Sequence, residues 1–210
     1  MRRTKVEALE TKARILESAL DIFSVKNFAS TSLLEIAQNA GLSKGALYWH
    51  FKNKNDLLIQ LVESTCREDG EAFLGLFEER DCGDALRGYY KRALARLFED
   101  ARYKKIHGMM LRRRYEWPEE VQTQVRQLVS DSMERDRQMA ERLIARGQRE
   151  GKIRKDVSAG KVALLISSIF HGLYAIQLCG KLPGEFPEYT DILFDAFDRE
   201  LSACGGRRAL

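Results

Sequence analysis

Residues 32–51 read SLLEIAQNAGLSKGALYWHF. Leu33, Ile36, Ala37 and Ala40 recur at helical spacing, which predicts a short amphipathic helix. Ser32 with Glu35 three positions on has the spacing of a capping box at its start. Gly41 stands where that helix must end, a position that favours a residue free to take positive φ. Leu42 can tuck back into the core, and Ser43 is a good N-cap for a second helix over residues 44–50. Two short helices joined by a glycine turn make the helix-turn-helix pattern.

The second helix has the residue types that suit a DNA groove. Gly45 and Ala46 leave almost no side chain at its start, so its backbone can come close to a duplex. Lys44 can reach a guanine edge or a phosphate. Tyr48, Trp49 and His50 offer hydrogen-bonding groups that fix position on the backbone more than they read sequence. Lys52 and Lys54 follow, and Asn53 with Asp56 promises an N-cap for the next helix, whose free N–H groups suit a phosphate. Thr31 and Ser32 can also touch the DNA backbone. The expected DNA contacts are therefore Thr31, Ser32, Ser43, Lys44, Gly45, Ala46, Tyr48, Trp49, His50, Lys52 and Lys54. Glycine turns between short helices also occur in proteins that never meet DNA. Three rings exposed on one short helix beside three lysines are costly without a partner surface, and that weighs for DNA.

Charge distribution agrees. The chain of 210 residues carries 35 Lys and Arg against 31 Asp and Glu. Nine of those bases and six of the acids fall in residues 1–60, so most of the net positive charge lies where steering toward phosphate would need it. Arg2, Arg3 and Lys5 open the chain as a loose arm or a solvated face. The four cysteines have no metal-ligand spacing and no nearby His. Unpaired thiols in a reduced cytosolic protein are the expectation, with a redox sensor as the alternative. No phosphate loop, zinc spacing or Gly-x-Ser-x-Gly elbow is present, so nothing points to an enzyme, a cofactor or a metal.

The rest of the chain reads as helices without strand-like alternation. The first runs over residues 5–25, with Leu9, Ala13, Leu16, Leu20 and Phe23 as its stripe and Asn27 as a left-handed stop. A long helix starts near residue 53 and heads toward 79; Leu57, Leu58, Leu61 and Val62 close a small N-terminal domain, and its later part acts as a lever. Further helices cover about 84–100, 103–114 and 119–150, with Pro118 in a first turn and Gly151 as a stop. Asp156 is expected to cap an uncharged helix over 162–179. That helix reaches the lower length limit for a membrane span, but Ser167, Ser168, His171 and Gln177 interrupt it, so a buried helix or subunit interface is the reading and no membrane is expected. A last helix covers about 188–203.

The run TKARILESALDIFSVKNFASTSLLEIAQNAGLSKGALYWHFKNKNDLL resembles the DNA-binding domain of TetR-type transcriptional repressors. RRTKVEALETKARIL and GALYWHFKNKNDL bring it nearest to the AcrR-like branch, which represses multidrug efflux genes. The resemblance covers roughly residues 3–60. It implies an all-α fold with a three-helix helix-turn-helix domain over 1–56, and a ligand-binding and dimerisation bundle over 57–210. It implies a cytoplasmic homodimer on a palindromic double-stranded DNA operator, pairing through the helices at 162–179 and 188–203. A small hydrophobic or amphipathic inducer would release it. The expected pocket residues are Phe98, His107, Met110, Trp117, Phe170, Tyr174 and Gln177; a Met and aromatic stripe of this kind is also what plain core looks like. The alternative is a DNA-binding regulator or architectural factor with no inducer.

Overall fold

The computed structural model describes residues 5–71, 81–182 and 186–203. Among these the structure is all-α: α1 (Lys5–Val25), α2 (Leu33–Asn39), α3 (Lys44–His50), α4 (Lys54–Glu71), α5 (Cys82–Glu99), α6 (Ala101–Arg113), α7 (Glu119–Arg149), α8 (Ala159–Leu178) and α9 (Phe186–Leu201). A 3-10 turn over Arg114–Glu116 joins α6 to α7. The chain forms two compact units. One takes the residues up to Cys66 together with Arg102–Val129; the other takes Arg67–Ala101 and the residues from Ser130 onward. The position 56/57 falls inside α4.

In the first unit, α1 buries Thr11, Ile15, Leu16, Ser18, Ala19, Leu20, Ile22 and Phe23. This is not quite the stripe expected from sequence. Leu9 is 59% exposed and Ala13 is also exposed, although Thr11 and Ile15 on either side of Ala13 are buried, so the buried face runs through Thr11, Ile15 and Ser18. Two polar residues lie on the buried face because they hydrogen-bond. Ser18 Oγ donates to the Ile36 carbonyl (2.8 Å) and accepts from Asn39 Nδ2 (2.9 Å); Thr11 Oγ1 donates to the Glu7 carbonyl (2.7 Å). The core continues through Ile36, Ala37, Leu47, Phe51, Leu57, Leu58, Leu61 and Val62. Ile106 and Met109 of α6 join it, as do Trp117, Val121 and Val125 around the start of α7. Arg102 pairs with Glu17, Lys105 Nζ lies 2.5 Å from Asp21 Oδ1, and Arg113 donates to the Val25 carbonyl at 2.9 Å, so α6 follows α1.

Asn27 does not take the left-handed conformation; among the described residues only glycines have positive φ. Its Oδ1 instead accepts the Ala29 N–H at 2.8 Å and its carbonyl accepts Ser30 Oγ and Thr31 Oγ1. This side-chain turn ends α1 without backbone strain.

In the second unit, α5 starts at an Asp81 cap, whose Oδ1 accepts the N–H groups of Gly83 and Asp84. Leu86, Tyr89, Tyr90, Leu94 and Leu97 of α5 are buried. Arg87 of α5 reaches three acids of α9, with 2.8 Å to Asp195, 2.7 Å to Asp198 and 3.4 Å to Asp191; Lys91 adds a second pairing to Asp191 at 2.5 Å. The Tyr90 hydroxyl meets Ser167 of α8 at 3.2 Å, and burial pushes its pKa up to about 12. α7 ends at Gly151 (φ 72°), where the Lys152 N–H returns to the Gly147 carbonyl at 2.9 Å. Pro118 immediately precedes α7. The cap of α8 is Ser158, which accepts the Lys161 N–H, and not Asp156, whose carboxylate is held by Arg154. α8 is long and apolar enough to cross a membrane by length and composition. It buries Val162, Ala163, Ile166, Ser167 and Phe170 in its unit, and Leu164, Leu165, Ile169 and Ile176 remain exposed on another face. Among the described residues no disulfide forms: Cys66 and Cys82 are buried and Cys179 is exposed. Cys204 lies outside them.

Candidate nucleic-acid interface

The turn between α2 and α3 has two interlocking hydrogen bonds. The Leu42 N–H reaches the Ala37 carbonyl (2.9 Å) and the Gly41 N–H reaches that of Gln38 (2.9 Å), the pattern that closes a helix around a left-handed residue. Gly41 takes φ 65°, which costs a residue with a Cβ about 1–2 kcal/mol. A Cβ there would also lie 3.3 Å from an Arg14 guanidinium nitrogen. That guanidinium donates to the Ala40 carbonyl at 2.7 Å, so α1 clamps the turn from outside. Sequence reading did not single out Arg14. The available signal was its place one turn before Ser18, which also reaches α2.

The capping box forms as the spacing predicts. Ser32 Oγ accepts the Glu35 N–H at 3.1 Å. Lys26 holds the Glu35 carboxyl below the usual carboxylate range, and the Ser32 N–H adds to the effect. Ser43 Oγ accepts the Ala46 N–H at 3.2 Å and so starts α3. At α4, Asn53 Oδ1 accepts the Asp56 N–H at 2.8 Å while the Asp56 carboxylate accepts the Lys52 N–H at 2.7 Å.

Only Leu47 of α3 is buried. Around it, Lys44, Gly45, Tyr48 and Trp49 are exposed and Ala46 and His50 are half-buried. Tyr48 is 48% and Trp49 70% exposed, unusual for aromatics of this size in a protein surface with no partner. The Lys44 ammonium sits 5.6 Å from the Tyr48 ring centroid, and Trp49 packs edge-on against His50 at 4.5 Å. A Cβ on Gly45 would meet nothing nearer than Ser43 Oγ at 3.9 Å. The chain's own packing does not require a glycine there.

Two residues expected at the interface face elsewhere. Thr31 is 3% exposed and donates to the Asn27 carbonyl at 3.1 Å. Lys54 donates from Nζ to the carbonyls of Phe28 (2.5 Å), Thr31 (2.8 Å) and Ala29 (3.2 Å), and lies 4.5 Å from the Phe28 ring centroid. Three acceptors match the three hydrogens of an ammonium, so Lys54 fastens the loop between α1 and α2. Burial lowers its pKa from the usual lysine value. Among the expected residues, the structure brings together Lys44, Gly45, Ala46, Tyr48, Trp49 and His50 on α3, with Ser43 at its cap, and leaves Ser32 and Lys52 exposed.

The seven expected pocket residues divide between the units. Trp117 and Met110 pack into the core of the first unit, and His107 stacks on Tyr103 with ring centroids 4.2 Å apart. Phe170, Tyr174 and Gln177 lie on α8; Phe170 is buried against Tyr90 at 4.8 Å, and Tyr174 and Gln177 are half-buried. The side chain of Phe98 lies outside the described residues.

A helix held at its base by one leucine, presented on a glycine turn, with lysine and bare aromatic rings outward, defines a helix-turn-helix reading head. Residues 15–61 match the family profile "Bacterial regulatory proteins, tetR family". The chain is 30% identical over 199 residues to the HTH-type transcriptional regulator TtgR of Pseudomonas putida, covering 93% of this chain and 90% of TtgR. It is 46% identical over 85 residues to the HTH-type transcriptional regulator AcrR of Shigella flexneri, a match spanning 40% of this chain and 39% of AcrR. In fold it is similar to NalD, the secondary repressor of the MexAB-OprM multidrug efflux pump in Pseudomonas aeruginosa. That likeness has a TM-score of 0.72 at 21% identity, over 94% of this chain and 98% of NalD. A complex of SmeT with triclosan gives a TM-score of 0.72 at 24% identity, over 92% of each chain. The chain belongs to the tetR family of bacterial regulatory proteins. It is a helix-turn-helix transcriptional regulator and not an enzyme.

Proposed function

We propose that this protein is a homodimeric repressor that grips a palindromic operator through Lys44, Tyr48, Trp49 and His50 of α3. The N-terminal three-helix segment, residues 1–56, is the DNA-binding domain, and the remaining helices form the ligand-binding and dimerisation domain. The observation that carries the reading is the bare α3 surface. Tyr48 and Trp49 stand largely exposed beside Lys44, and Gly45 is small where only an outside surface needs it small. Ser32, Ser43 and Lys52 supply backbone contacts at the helix starts; Lys54 and Thr31 hold the loop behind them.

Two reading heads need a dimer. The exposed Leu164, Leu165, Ile169 and Ile176 of α8, with Ile192 of α9 at 68% exposure, supply an apolar patch suited to self-association. A small hydrophobic or amphipathic molecule taken up by the helical bundle weakens the DNA complex, by reciprocal coupling between the two sites. NalD is the secondary repressor of a multidrug efflux pump and SmeT forms a complex with triclosan, which supports efflux genes as the target and an apolar inducer as the signal.

Footprinting on the DNA flanking its own gene, at physiological salt, tests the reading. A protected palindrome of roughly two helical turns is expected. Protection that is indifferent to sequence and vanishes with salt would overturn it in favour of a factor without an operator. A Leu165→Glu, Ile169→Glu double variant should sediment as a monomer and lose the footprint.

A further inference from the structure

Two lysines of the first unit lie over phenylalanine rings, and the protein uses the hydrogens of one of them. Lys54 Nζ sits 4.5 Å from the Phe28 ring centroid and donates to three backbone carbonyls. Lys12 of α1 sits with Nζ 5.9 Å from the centroid of the Phe51 ring. Among the described residues, its ammonium has no hydrogen-bond acceptor and no acid within ion-pair distance. An ammonium has three donors, so the ring holds Lys12 in place and leaves all three to an outside partner. Lys26, Arg102 and Lys105 of the same unit are paired with acids.

The place of this ammonium is informative. Phe51 closes α3: its N–H reaches the Leu47 carbonyl at 3.0 Å, and its ring centroid lies 6.2 Å from that of His50. Lys12 therefore stands at the C-terminal end of α3, where the chain passes from His50 to the exposed Lys52. At about 3.6 residues per turn, Lys12 falls on the same side of α1 as Leu16 and Phe23, which are buried in the core of the unit. Glu10 and Glu17 fall on the far side. The cation is turned toward α3 and the acids of its own helix are turned away from it. A lysine already resting on a ring loses less freedom on binding than a free one.

We propose that Lys12 is a DNA-backbone contact, donating to a phosphate oxygen beside the end of α3, next to the contact made by Lys52. The proposal rests on the reading that α3 enters DNA. It adds α1, a helix outside the helix-turn-helix, to the grip. Phosphate contacts fix register and orientation and do not read sequence, so Lys12 strengthens operator and non-operator complexes alike.

Two probes test it: the duplex flanking the protein's own gene and a random-sequence duplex of equal length. Each is titrated with the full-length protein over a range of salt, by fluorescence anisotropy. Lys12→Met keeps the stem against the Phe51 ring and loses the charge. Its affinity for both duplexes should fall at least about fivefold at low salt. The slope of log affinity against log salt should become shallower by about 0.9 for each chain bound. The urea midpoint should stay at the wild-type value. Lys104→Met, which removes an exposed charge from α6, should leave the slope unchanged. Lys12→Gln decides if Lys12→Met loses its helical circular dichroism. An unchanged slope in a folded Lys12 variant overturns the proposal, and so does an equal change in Lys104→Met. If the wild type does not prefer the flanking duplex, the operator reading falls, and the slopes on the random duplex still decide the role of Lys12. Absence of any DNA binding overturns both.

Discussion

Replacing Lys54 by Met separates two roles that a lysine next to a DNA-reading helix can have. The side-chain stem is retained and the ammonium is lost. In the structure that ammonium serves the carbonyls of Phe28, Ala29 and Thr31. A hydrogen bond to a charged group contributes about 1.5–3 kcal/mol. The three share one donor group, so they do not simply add. Ala29 is exposed, and its carbonyl can return to water; the Phe28 carbonyl keeps the Thr31 N–H at 3.3 Å, whereas Thr31 is 3% exposed and its carbonyl is left poorly served. Loss of the cation over the Phe28 ring contributes about 0.5–1 kcal/mol more. The expected destabilisation is about 2–4 kcal/mol, read by urea unfolding. Operator affinity should also fall, because the loop that leads into α2 loosens, but its dependence on salt should not. A true phosphate contact changes the slope of log affinity against log salt by about 0.9. Lys54→Met with less than about 0.5 kcal/mol of destabilisation, and a slope smaller by about 0.9, would refute the argument and return Lys54 to the DNA surface.

Other substitutions probe the same head. Leu47→Ala removes the only buried side chain of α3 and should cost about 2–5 kcal/mol, with loss of operator binding. Lys44→Ala and Trp49→Ala should each weaken operator binding by about 1–3 kcal/mol at unchanged urea midpoint; only Lys44→Ala should lower the salt slope. Gly41→Ala should destabilise by about 1–2 kcal/mol from its positive φ, measured in the same unfolding assay. In the second unit the Glu134 carboxyl, hydrogen-bonded first by Arg137 and then by Gln138, is lowered to about 2. A depressed carboxylate contributes stability above its unfolded pKa that is lost as pH falls through the folded value. The contribution should therefore be complete at neutral pH and disappear between about pH 4.5 and about pH 2. Titration of Glu134 by NMR should show a return toward the ordinary range in Arg137→Gln.

Much of the fold is local and so legible in one dimension. The capping residues Ser32, Ser43 and Asn53 act on N–H groups three positions away, and Gly41 acts within its own turn. The apolar run Leu57, Leu58, Leu61 and Val62 buries all four residues fully, because a helix against a core needs just that spacing. The family itself is carried by the same stretch. Reading failed where a side chain's partner is far along the chain. Lys54 and Thr31 look like DNA contacts by position. Only the return of the loop at Phe28–Thr31, more than twenty residues earlier, supplies the carbonyls that Lys54 serves. The stripe on α1 differs at Leu9 and Ala13 because the buried face takes in Thr11 and Ser18, polar residues that periodicity of apolar side chains does not count and whose hydroxyls donate to backbone carbonyls.

The sequence alone therefore determined which stretches are helical, the caps at Ser32, Ser43 and Asn53 and the outward chemistry of α3, since these depend on residues within one or two turns. The tertiary structure decided which charges are available and which side chains join a core. It ties Arg14 to Ala40 and Arg87 to α9. It commits Trp117 and Met110 to a core. Those outcomes depend on which distant surfaces meet, and periodicity contains no information about a partner's position.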